Sequence, residues 1–427
     1  MRSHRLRSLV LGFLLICAPL SGWSAAAPAT VKMGLANFQL GASPSLEELV
    51  SIFNEQHPDI RVELVGTENH WDKLIVLESL NELPDVFYVD LNAYFPGAVE
   101  RGALLNLDPF VAKDPVLAAD LVPAIREAYS YRGSLYALTT TVGADALYFN
   151  RKMFDEAAVA YPDASWTWET LLDSARKLTR RSGDGEPSQF GYLTNAVPQE
   201  WHADWWWTWV WRFGGAITDP EETRVTIESP EAEAALRFIH ELIWEARVAP
   251  NFAERRAGPW EEFVQERAAM IVRFPGYQNT LLKTAEFPWG IAPIPLGPAG
   301  RQFMIASAGY AIAAQTEVPE AAWTFLRWLV TDGAVLSNPN QPAAPTLTAL
   351  HEYVEASPIR DLGLFNLYDP DYLKDGRLLP LALRKEMHSR FLPGQSVMWP
   401  FYRNEESPQA ALVKMAVVIQ NMLTPDP

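Results

Sequence analysis

The start of the chain has the pattern of an export signal, and this pattern limits how the rest of the protein can be stabilised. Arg2, Arg5 and Arg7 precede an apolar run at residues 9–20, and small residues follow at positions 24–26. The apolar run is about a dozen residues long, whereas a helix that spans a membrane needs about 20. We therefore predict a signal peptide that is cleaved after Ala26, and a mature protein that works in the periplasm or outside the cell.

The only cysteine lies inside the predicted signal peptide. Because Cys17 is lost with that segment, the mature chain is expected to contain no thiol and no disulfide. Residues 14–17 resemble the box that precedes a lipidated cysteine, but Ile16 occupies a position that normally takes a small residue. We expect no lipid anchor, and the fold must be stabilised by its hydrophobic core alone.

The length and charge of the mature chain restrict its architecture and its partners. About 400 residues exceed what one hydrophobic core usually serves, so two domains are expected. Removing the three arginines of the signal from 35 basic residues leaves 32, against 52 acidic residues, which gives a net charge of −20. This charge opposes binding to nucleic acid and to anionic lipid. The apolar runs beyond the signal are too short for membrane insertion.

The first part of the mature chain alternates between strand and helix patterns. Residues 31–36, 60–64 and 86–89 have the character of strands, and residues 46–53 and 71–80 have helical apolar spacing. Ser45 and Glu48 form a candidate capping box before the first helix. This order predicts an α/β domain with a largely parallel sheet.

Polar and aromatic residues follow the strands of this predicted sheet. In open parallel sheets, the loops that leave the carboxyl ends of the strands face the ligand crevice. We therefore expect the residues in these loops to converge on one edge of the sheet; they are Asn37, Phe38, Glu68, His70, Asp90 and Tyr94.

The pattern changes at residues 139–143, which we interpret as the first crossing between domains. Further strands are predicted at residues 146–149, 268–272, 289–294 and 307–312, and helices at 168–175, 235–243, 322–329 and 410–422. A second crossing is expected near residue 304. Residues 337–350 are rich in Pro, Asn and Ala, and are expected to form a third crossing.

Seven short motifs occur in a characteristic order along the mature chain. They are LPDVFYVD at 83–90, GALLNL at 102–107, LYFNRKMF at 147–154, WTWE at 166–169, AAMI at 268–271, WGIAPIP at 289–295 and EAAWTFL at 320–326. Together, behind a signal peptide, they resemble the family 1 extracellular solute-binding proteins of ABC importers, which include the maltodextrin-binding receptors.

The resemblance implies a two-lobed α/β fold of the periplasmic-binding-protein type, similar to type II, with several hinge crossings and a ligand cleft between the lobes. It assigns residues 27–140 and 305–344 to the N-terminal lobe, and residues 141–304 and 345–427 to the C-terminal lobe. It also implies a receptor that delivers a sugar, an oligosaccharide or a related polyol to the transmembrane subunits of an ABC permease. A monomer is expected.

The resemblance also points to individual binding residues. Asp90 and Tyr94 match a loop in which family members bind sugar hydroxyls, and Glu68 and His70 lie in another loop that faces the ligand. Further along the chain, Tyr277 and Trp399 match the positions of aromatic residues that stack on sugar.

The chemistry of sugar recognition suggests additional contacts. A sugar has an apolar C–H face and a rim of hydroxyl groups, so its receptor needs flat aromatic rings and fixed hydrogen-bond acceptors. Carboxylates are strong acceptors, and we predict this role for Asp90, Asp145, Glu68 and Glu200.

The segment at residues 201–211 contains six tryptophans. As a helix, it would place Trp201 and Trp205 on one stripe and Trp207 and Trp211 on another. One stripe can belong to the core while the other faces the cleft, and large aromatic residues are also ordinary core residues. We include Trp201 and Trp205 among the candidate ligand contacts.

Enzymatic alternatives find little support in the motifs. The chain has no Gly-x-Ser-x-Gly, no His-Glu-x-x-His and no phosphate-binding glycine loop, and its histidines are scattered. We expect no catalytic residue, no bound metal and no cofactor. A secreted glycoside hydrolase remains the main alternative, because aromatic rings and paired carboxylates in a cleft also describe its active site. An adhesion or scaffold module that uses its tryptophans for protein contact is a further alternative.

Overall fold

The computed structural model of the protein describes most of the chain beyond the predicted signal. The described residues are 27–36, 45–67, 70–91, 94–139, 144–183, 185–194, 205–274, 277–305, 308–337, 370–386 and 390–423.

The strands and helices alternate along the described chain. The strands are β1 Ala29–Ala36, β2 Ile60–Thr67, β3 Val86–Asp90, β4 Ser130–Tyr131, β5 Ser134–Leu135, β6 Ala137–Thr139, β7 Ala146–Asn150, β8 Arg180–Arg181, β9 Pro187–Gln189, β10 Met270–Arg273, β11 Trp289–Pro293, β12 Phe303–Met304, β13 Ala308–Ile312 and β14 Gly376–Arg377. The α-helices are α1 Leu46–Gln56, α2 His70–Ser79, α3 Tyr94–Glu100, α4 Asp108–Val111, α5 Pro115–Asp120, α6 Pro123–Ala128, α7 Arg151–Glu156, α8 Trp168–Leu178, α9 Trp206–Arg212, α10 Pro230–His240, α11 Pro259–Val264, α12 Gln278–Thr284, α13 Pro319–Val330, α14 Asp332–Ser337, α15 Pro370–Leu373, α16 Leu381–Lys385, α17 Leu392–Gly394, α18 Trp399–Tyr402 and α19 Pro408–Leu423. A π-helix spans Glu241–Glu245, and 3-10 helices span Phe252–Glu254 and Gln395–Met398.

A five-stranded sheet forms the centre of the first lobe, in the order β2-β1-β3-β13-β6. β1 pairs in parallel with both β2 and β3, whereas β13 runs antiparallel to β3 and β6. The predicted α/β class is confirmed. Four strands of this sheet come from residues 29–139, and the fifth, β13, returns from much later in the chain.

Helices α1 and α13 pack on this sheet. Ser45 and Glu48 form the predicted capping box at the start of α1, and the apolar stripe of the helix is buried. Phe53 of that stripe is fully buried, and its ring lies 5.0 Å from that of Phe325 and 5.3 Å from that of Trp328 on α13. The periodic spacing of apolar residues in α1 therefore corresponds to its buried face.

The second lobe has a smaller antiparallel sheet in the order β10-β7-β11. Residues 190–193 extend this sheet, because Phe190 and Leu193 form parallel bridges with Ala268 and Ile271. Every residue of β7, β10 and β11 is buried. Apart from the final residues Asn150 and Arg273, these strands are consequently apolar throughout rather than alternating.

The C-terminal part of the described chain contacts both lobes. β14 pairs with β12, the strand that leads towards β13, and α19 packs against α10 of the second lobe. Helix α16 packs against α3 of the first lobe, and Lys385 forms an ion pair with Glu100 there. The third crossing predicted near residue 344 lies outside the described residues.

Candidate functional site

The carboxyl ends of four strands lie at one edge of the first sheet. β1, β2, β3 and β6 all run in one direction, so they end together at Ala36, Thr67, Asp90 and Thr139. We call these four residues the first rim. The loops predicted to carry ligand contacts leave from this edge, although Asn37, Phe38 and Glu68 lie outside the described residues, and His70 is described only as the first residue of α2.

The first rim places a carboxylate beside buried aromatic residues. Asp90 is the last residue of β3, where it pairs with Ala308 of β13, and it is half-buried. Two residues earlier in β3, Tyr88 packs edge-to-face on Tyr310 with ring centroids 5.9 Å apart. Burial raises the pKa of Tyr88, and the carboxylate of Asp90 raises it further. The phenol therefore stays neutral, and Asp90 supplies the negative charge at this edge.

Tyr94 has a polar partner within its own lobe. Its hydroxyl donates to Oε2 of Glu78 on α2 at 2.6 Å, and only 5% of the residue is exposed. Arg101 donates to the same carboxylate, at 2.9 Å through Nη2. Burial acts to raise the pKa of Glu78, but the hydrogen bonds from Arg101 and Tyr94 outweigh it, so this pKa lies below its ordinary value. The Tyr94 hydroxyl thus joins α3 to α2.

A corresponding edge exists on the second sheet. β10 and β11 run antiparallel to β7, so the start of β7 lies beside the ends of the other two strands. Asp145 precedes β7, Arg273 ends β10, Ile294 follows β11, and Thr194 ends the segment that extends the sheet. We call these four residues the second rim. All four are fully buried.

Short chain segments join the two rims. The chain passes from Thr139 to residue 144, immediately before Asp145, and it returns from Ile305 to Ala308. A fully extended chain covers at most about 3.6 Å per residue, so these connections hold their ends within about 18 Å and about 11 Å of each other. The two sheets are therefore linked by short connections close to both rims.

Tyr372 fixes the second rim at the point where the chain crosses. Its hydroxyl donates to the backbone oxygen of Asp145 at 2.6 Å and accepts from the backbone nitrogen of Ile294 at 3.4 Å. Its ring stacks on Phe303, with centroids 5.1 Å apart and planes at 18°. Burial raises the pKa of Tyr372, so its hydroxyl remains a hydrogen-bond donor.

Tyr277 follows the second rim and has aromatic and cationic neighbours. The ring centroid lies 4.9 Å from that of Trp260 on α11, and the guanidinium of Arg273 lies 5.0 Å from it. The residue is half-buried. Its ring is therefore positioned by packing before any ligand arrives.

Trp399 is also half-buried, at the start of α18. Its ring meets the ring of Phe252 nearly at right angles, with centroids 5.0 Å apart and planes at 74°. The guanidinium of Arg403 lies 5.5 Å from the ring centroid. Trp399 thus combines partial exposure with fixed neighbours, which is suitable for a stacking residue.

The described tryptophans of the 201–211 segment belong to the core. Helix α9 is buried on all sides, and its tryptophans are at most 6% exposed. Trp205 precedes the helix, is 2% exposed and stacks on Trp207 with centroids 4.4 Å apart. Trp206 donates from Nε1 to Oε1 of the buried Gln395 at 3.0 Å.

The described members of both predicted stripes, Trp205, Trp207 and Trp211, are therefore buried, and α10 and the ring of Phe391 pack against this segment. The helix ends at Arg212, two residues before Gly214, which adopts a φ of +95° that favours glycine. Glu200 and Trp201 lie outside the described residues.

Sequence reasoning did not identify Phe252, Trp260 or Tyr372. Each is an aromatic residue in a segment without a recognised motif, and its relation to Trp399, Tyr277 or Asp145 depends on contacts between distant parts of the chain. The 54% exposure of Phe252 is visible only in the folded structure.

Two cavities formed by described residues are lined by none of the predicted contacts. One of about 450 Å³ separates α6 from residues 373–378, and one of about 510 Å³ lies between α2 and residues 101–103. Within the described ranges, no three His, Cys, Asp or Glu side chains come together in a way that could hold a metal ion. None of the helices described combines the length and apolar character needed to cross a bilayer.

Comparison with known proteins identifies a family and a shared fold. The family model for the bacterial extracellular solute-binding protein matches residues 39–335. The maltotriose-binding protein of Pyrococcus abyssi is 23% identical over 307 residues, which represent 70% of this chain and 62% of that protein. The match thus spans less than two thirds of the length of this relative.

Two solved structures have a similar fold. An ABC substrate-binding protein from Listeria monocytogenes in complex with cycloalternan has a TM-score of 0.75 and 22% identity, with 92% of this chain and 98% of that chain covered. The GacH receptor of Streptomyces glaucescens, studied unliganded and with acarbose, has a TM-score of 0.74 and 19% identity, with 93% and 98% covered.

Proposed function

Because the chain belongs to the bacterial extracellular solute-binding protein family, we propose that it is the extracytoplasmic receptor of an ABC importer. In this proposal it captures a sugar, an oligosaccharide or a related polyol between its two lobes. It then presents this ligand to the transmembrane subunits of a permease.

The observation that carries this proposal is the pair of rims, one on each sheet. Each rim is built from strand ends, and two short connections join them, at residues 139–144 and 305–308. A ligand bound by both rims would favour the closed arrangement of the lobes, because closure brings both sets of contacts to it. A permease can then distinguish loaded receptor from empty receptor.

The ligand class is supported by the chemistry near the rims and by the relatives. Asp90 supplies a carboxylate at the first rim, and Tyr277 and Trp399 are half-buried aromatic residues associated with the second lobe. The related proteins include a maltotriose-binding protein and structures with cycloalternan and acarbose. All three ligands carry many hydroxyl groups on rings that have apolar faces.

We assign roles to the predicted contacts accordingly. Hydrogen bonds to the hydroxyl groups of the ligand are proposed for one polar set, which consists of Asn37, Glu68, His70, Asp90, Asp145 and Glu200. Stacking or apolar contact is proposed for a second set, which consists of Phe38, Trp201, Tyr277 and Trp399. Trp205, which was also predicted to contact the ligand, is assigned to the core, because it is 2% exposed and stacks on Trp207. Tyr94 receives a supporting role instead, because its hydroxyl already binds Glu78.

The lobe boundaries are part of the same proposal. Residues 27–140 with 305–344 would form one lobe and residues 141–304 with 345–427 the other, which is supported by the strand membership of the two sheets. We further propose export by the N-terminal signal, a periplasmic or extracellular location, a monomeric state and binding without chemical conversion of the ligand.

The experiment uses the protein from residue 27 onwards and a panel that contains maltotriose, glucose and mannitol. A ligand present at 100 times its Kd stabilises the folded state by about 2.7 kcal/mol, so binding is detected as a rise in Tm. Calorimetry then gives the Kd, and chromatography after long incubation tests for products. Binding without product supports a receptor, whereas steady product formation would establish a hydrolase and overturn the proposal.

A further inference from the structure

Phe252 is a large apolar side chain that remains exposed beside a candidate binding residue. It is 54% exposed, and its ring contacts that of Trp399. We propose that Phe252 forms a second stacking surface next to Trp399, so that the ligand is an oligosaccharide of at least two rings. This inference rests on the proposed function, and it adds a residue that determines ligand length.

The angle between the rings of Phe252 and Trp399 indicates a ligand of at least two sugar rings. Their planes meet at 74° with centroids 5.0 Å apart. A single sugar ring lies flat on one of these surfaces and cannot lie flat on the other. A ligand that uses both surfaces needs two linked rings that are turned relative to each other, as the glycosidic bonds of an oligosaccharide allow.

The backbone around Phe252 is held in place, so its exposure is a fixed feature. Asn251 caps the 3-10 helix by accepting from the backbone nitrogens of Ala253 and Glu254, and Glu254 accepts from the backbone nitrogen of Asn251 at 3.0 Å. The guanidinium of Arg247 binds Glu254 and Glu186, each at 2.6 Å. A preorganised aromatic surface loses little conformational entropy when a ligand binds to it.

The same segment is tied to the second rim. Nη2 of Arg255 donates to the backbone oxygen of Thr194 at 2.5 Å. The buried carboxylate of Glu262 accepts from the backbone nitrogens of Arg256 and Ala257, at 2.5 Å and 2.9 Å. Phe252 is thus attached to the edge from which the predicted contacts of the second lobe arise.

The segment that begins at Phe252 also leads to a second pair of aromatic residues, Trp260 and Tyr277. It ends in α11, where Trp260 packs on Tyr277. Residues 252–260 therefore contact both of the aromatic residues that were predicted to stack on sugar. Phe252 therefore belongs to a segment that contacts two candidate stacking residues, rather than being an isolated exposed phenylalanine.

The test compares binding of ligands of increasing length to the protein from residue 27 onwards. Calorimetry measures the Kd of glucose, maltose, maltotriose and maltopentaose for the wild type and for Phe252→Ala. Covering the exposed part of a phenylalanine is worth on the order of a fivefold change in Kd. We expect a loss of about this size for maltotriose and maltopentaose, and no change for glucose.

Three further variants make the comparison specific. Phe252→Tyr keeps the flat ring and should retain the wild-type affinity, whereas Phe252→Leu keeps apolar volume without a flat face and should lose affinity for the longer ligands. Val116→Ala is the matched control, because this valine is 73% exposed on α5 of the first lobe. It should bind every ligand as the wild type does.

The possible outcomes separate this inference from the proposed function. If the wild type binds maltotriose and Phe252→Ala binds all ligands equally well, the inference is wrong while the receptor function stands. An equal loss for glucose and for maltopentaose would also overturn it, because Phe252 would then act on the first sugar alone. If the wild type binds no carbohydrate of the panel, the proposed ligand class fails and the inference with it.

Discussion

Replacement of Trp399 by alanine tests whether this residue binds ligand or stabilises the core. Trp399 is half-buried, and its ring makes one edge-to-face contact with Phe252 and one contact with the guanidinium of Arg403. An aromatic pair contributes about 0.5–1.5 kcal/mol and an exposed cation–π contact about 0.5–1 kcal/mol. We therefore expect Trp399→Ala to lower the free energy of unfolding by about 1–2.5 kcal/mol.

The expected effect on binding is larger. An aromatic residue at the centre of a binding site commonly contributes about 2 kcal/mol or more, which corresponds to about a 30-fold rise in Kd. The assay measures the Kd of maltotriose by calorimetry and the free energy of unfolding by chemical denaturation on the same preparations. The two numbers separate loss of a contact from loss of the fold.

Trp209→Ala is the matched comparison. Trp209 is fully buried in α9, with its ring 5.0 Å from that of Phe238 and its indole beside the guanidinium of Arg212 at 4.5 Å. Truncation of a core tryptophan costs about 3–5 kcal/mol, so this variant should lose stability while its folded fraction keeps the wild-type Kd. A Trp399→Ala protein that loses 3–5 kcal/mol of stability with unchanged Kd would refute the reasoning and place Trp399 in the core.

Three further substitutions test the contacts around the rims and the first lobe. Tyr94→Phe removes a hydrogen bond to the Glu78 carboxylate and should cost about 1–3 kcal/mol of stability in denaturation experiments, with the Kd for maltotriose unchanged; a marked rise in Kd would make Tyr94 a ligand contact. Tyr372→Phe leaves the backbone oxygen of Asp145 without this donor and should cost about 1–3 kcal/mol, so an unchanged free energy of unfolding would contradict the role of Tyr372 in fixing the second rim. Asp114 caps α5 and its pKa is lowered, first by a hydrogen bond from an arginine on α13. A lowered pKa stabilises the folded state above the unfolded pKa of about 3.9. The stability advantage of the wild type over Asp114→Asn should therefore be constant above about pH 5 and shrink as the pH falls through and below 4. An advantage that is independent of pH down to pH 2 would contradict this.

Much of the local structure could be predicted from the spacing of residues. The apolar spacing of α1 and its capping box are formed as expected, since both depend on residues within a few positions of each other. The first three strands and their parallel direction also follow from local patterns, because strands joined by helices run in parallel.

Side-chain environments were less predictable. The tryptophan segment had an interpretable helical pattern, but only the packing of α10 and the C-terminal region shows that the tryptophans at 205–211 are buried. The same limit applies to Tyr94, for which position in the sequence suggested a ligand contact while the fold provides Glu78 as a partner. Hydrophobicity and spacing describe one segment at a time, and they do not specify what covers it.

The sequence by itself determined the class of the fold, the parallel direction of its first strands and the family, because these depend on periodicity and on short motifs. Only the tertiary structure decided how the second rim is held together and which aromatic residues meet beside it. Phe252 and Trp399 are 147 positions apart, and Asp145 and Tyr372 are 227 positions apart. Contacts over such distances arise from the packing of whole elements, and no local preference of either residue encodes them.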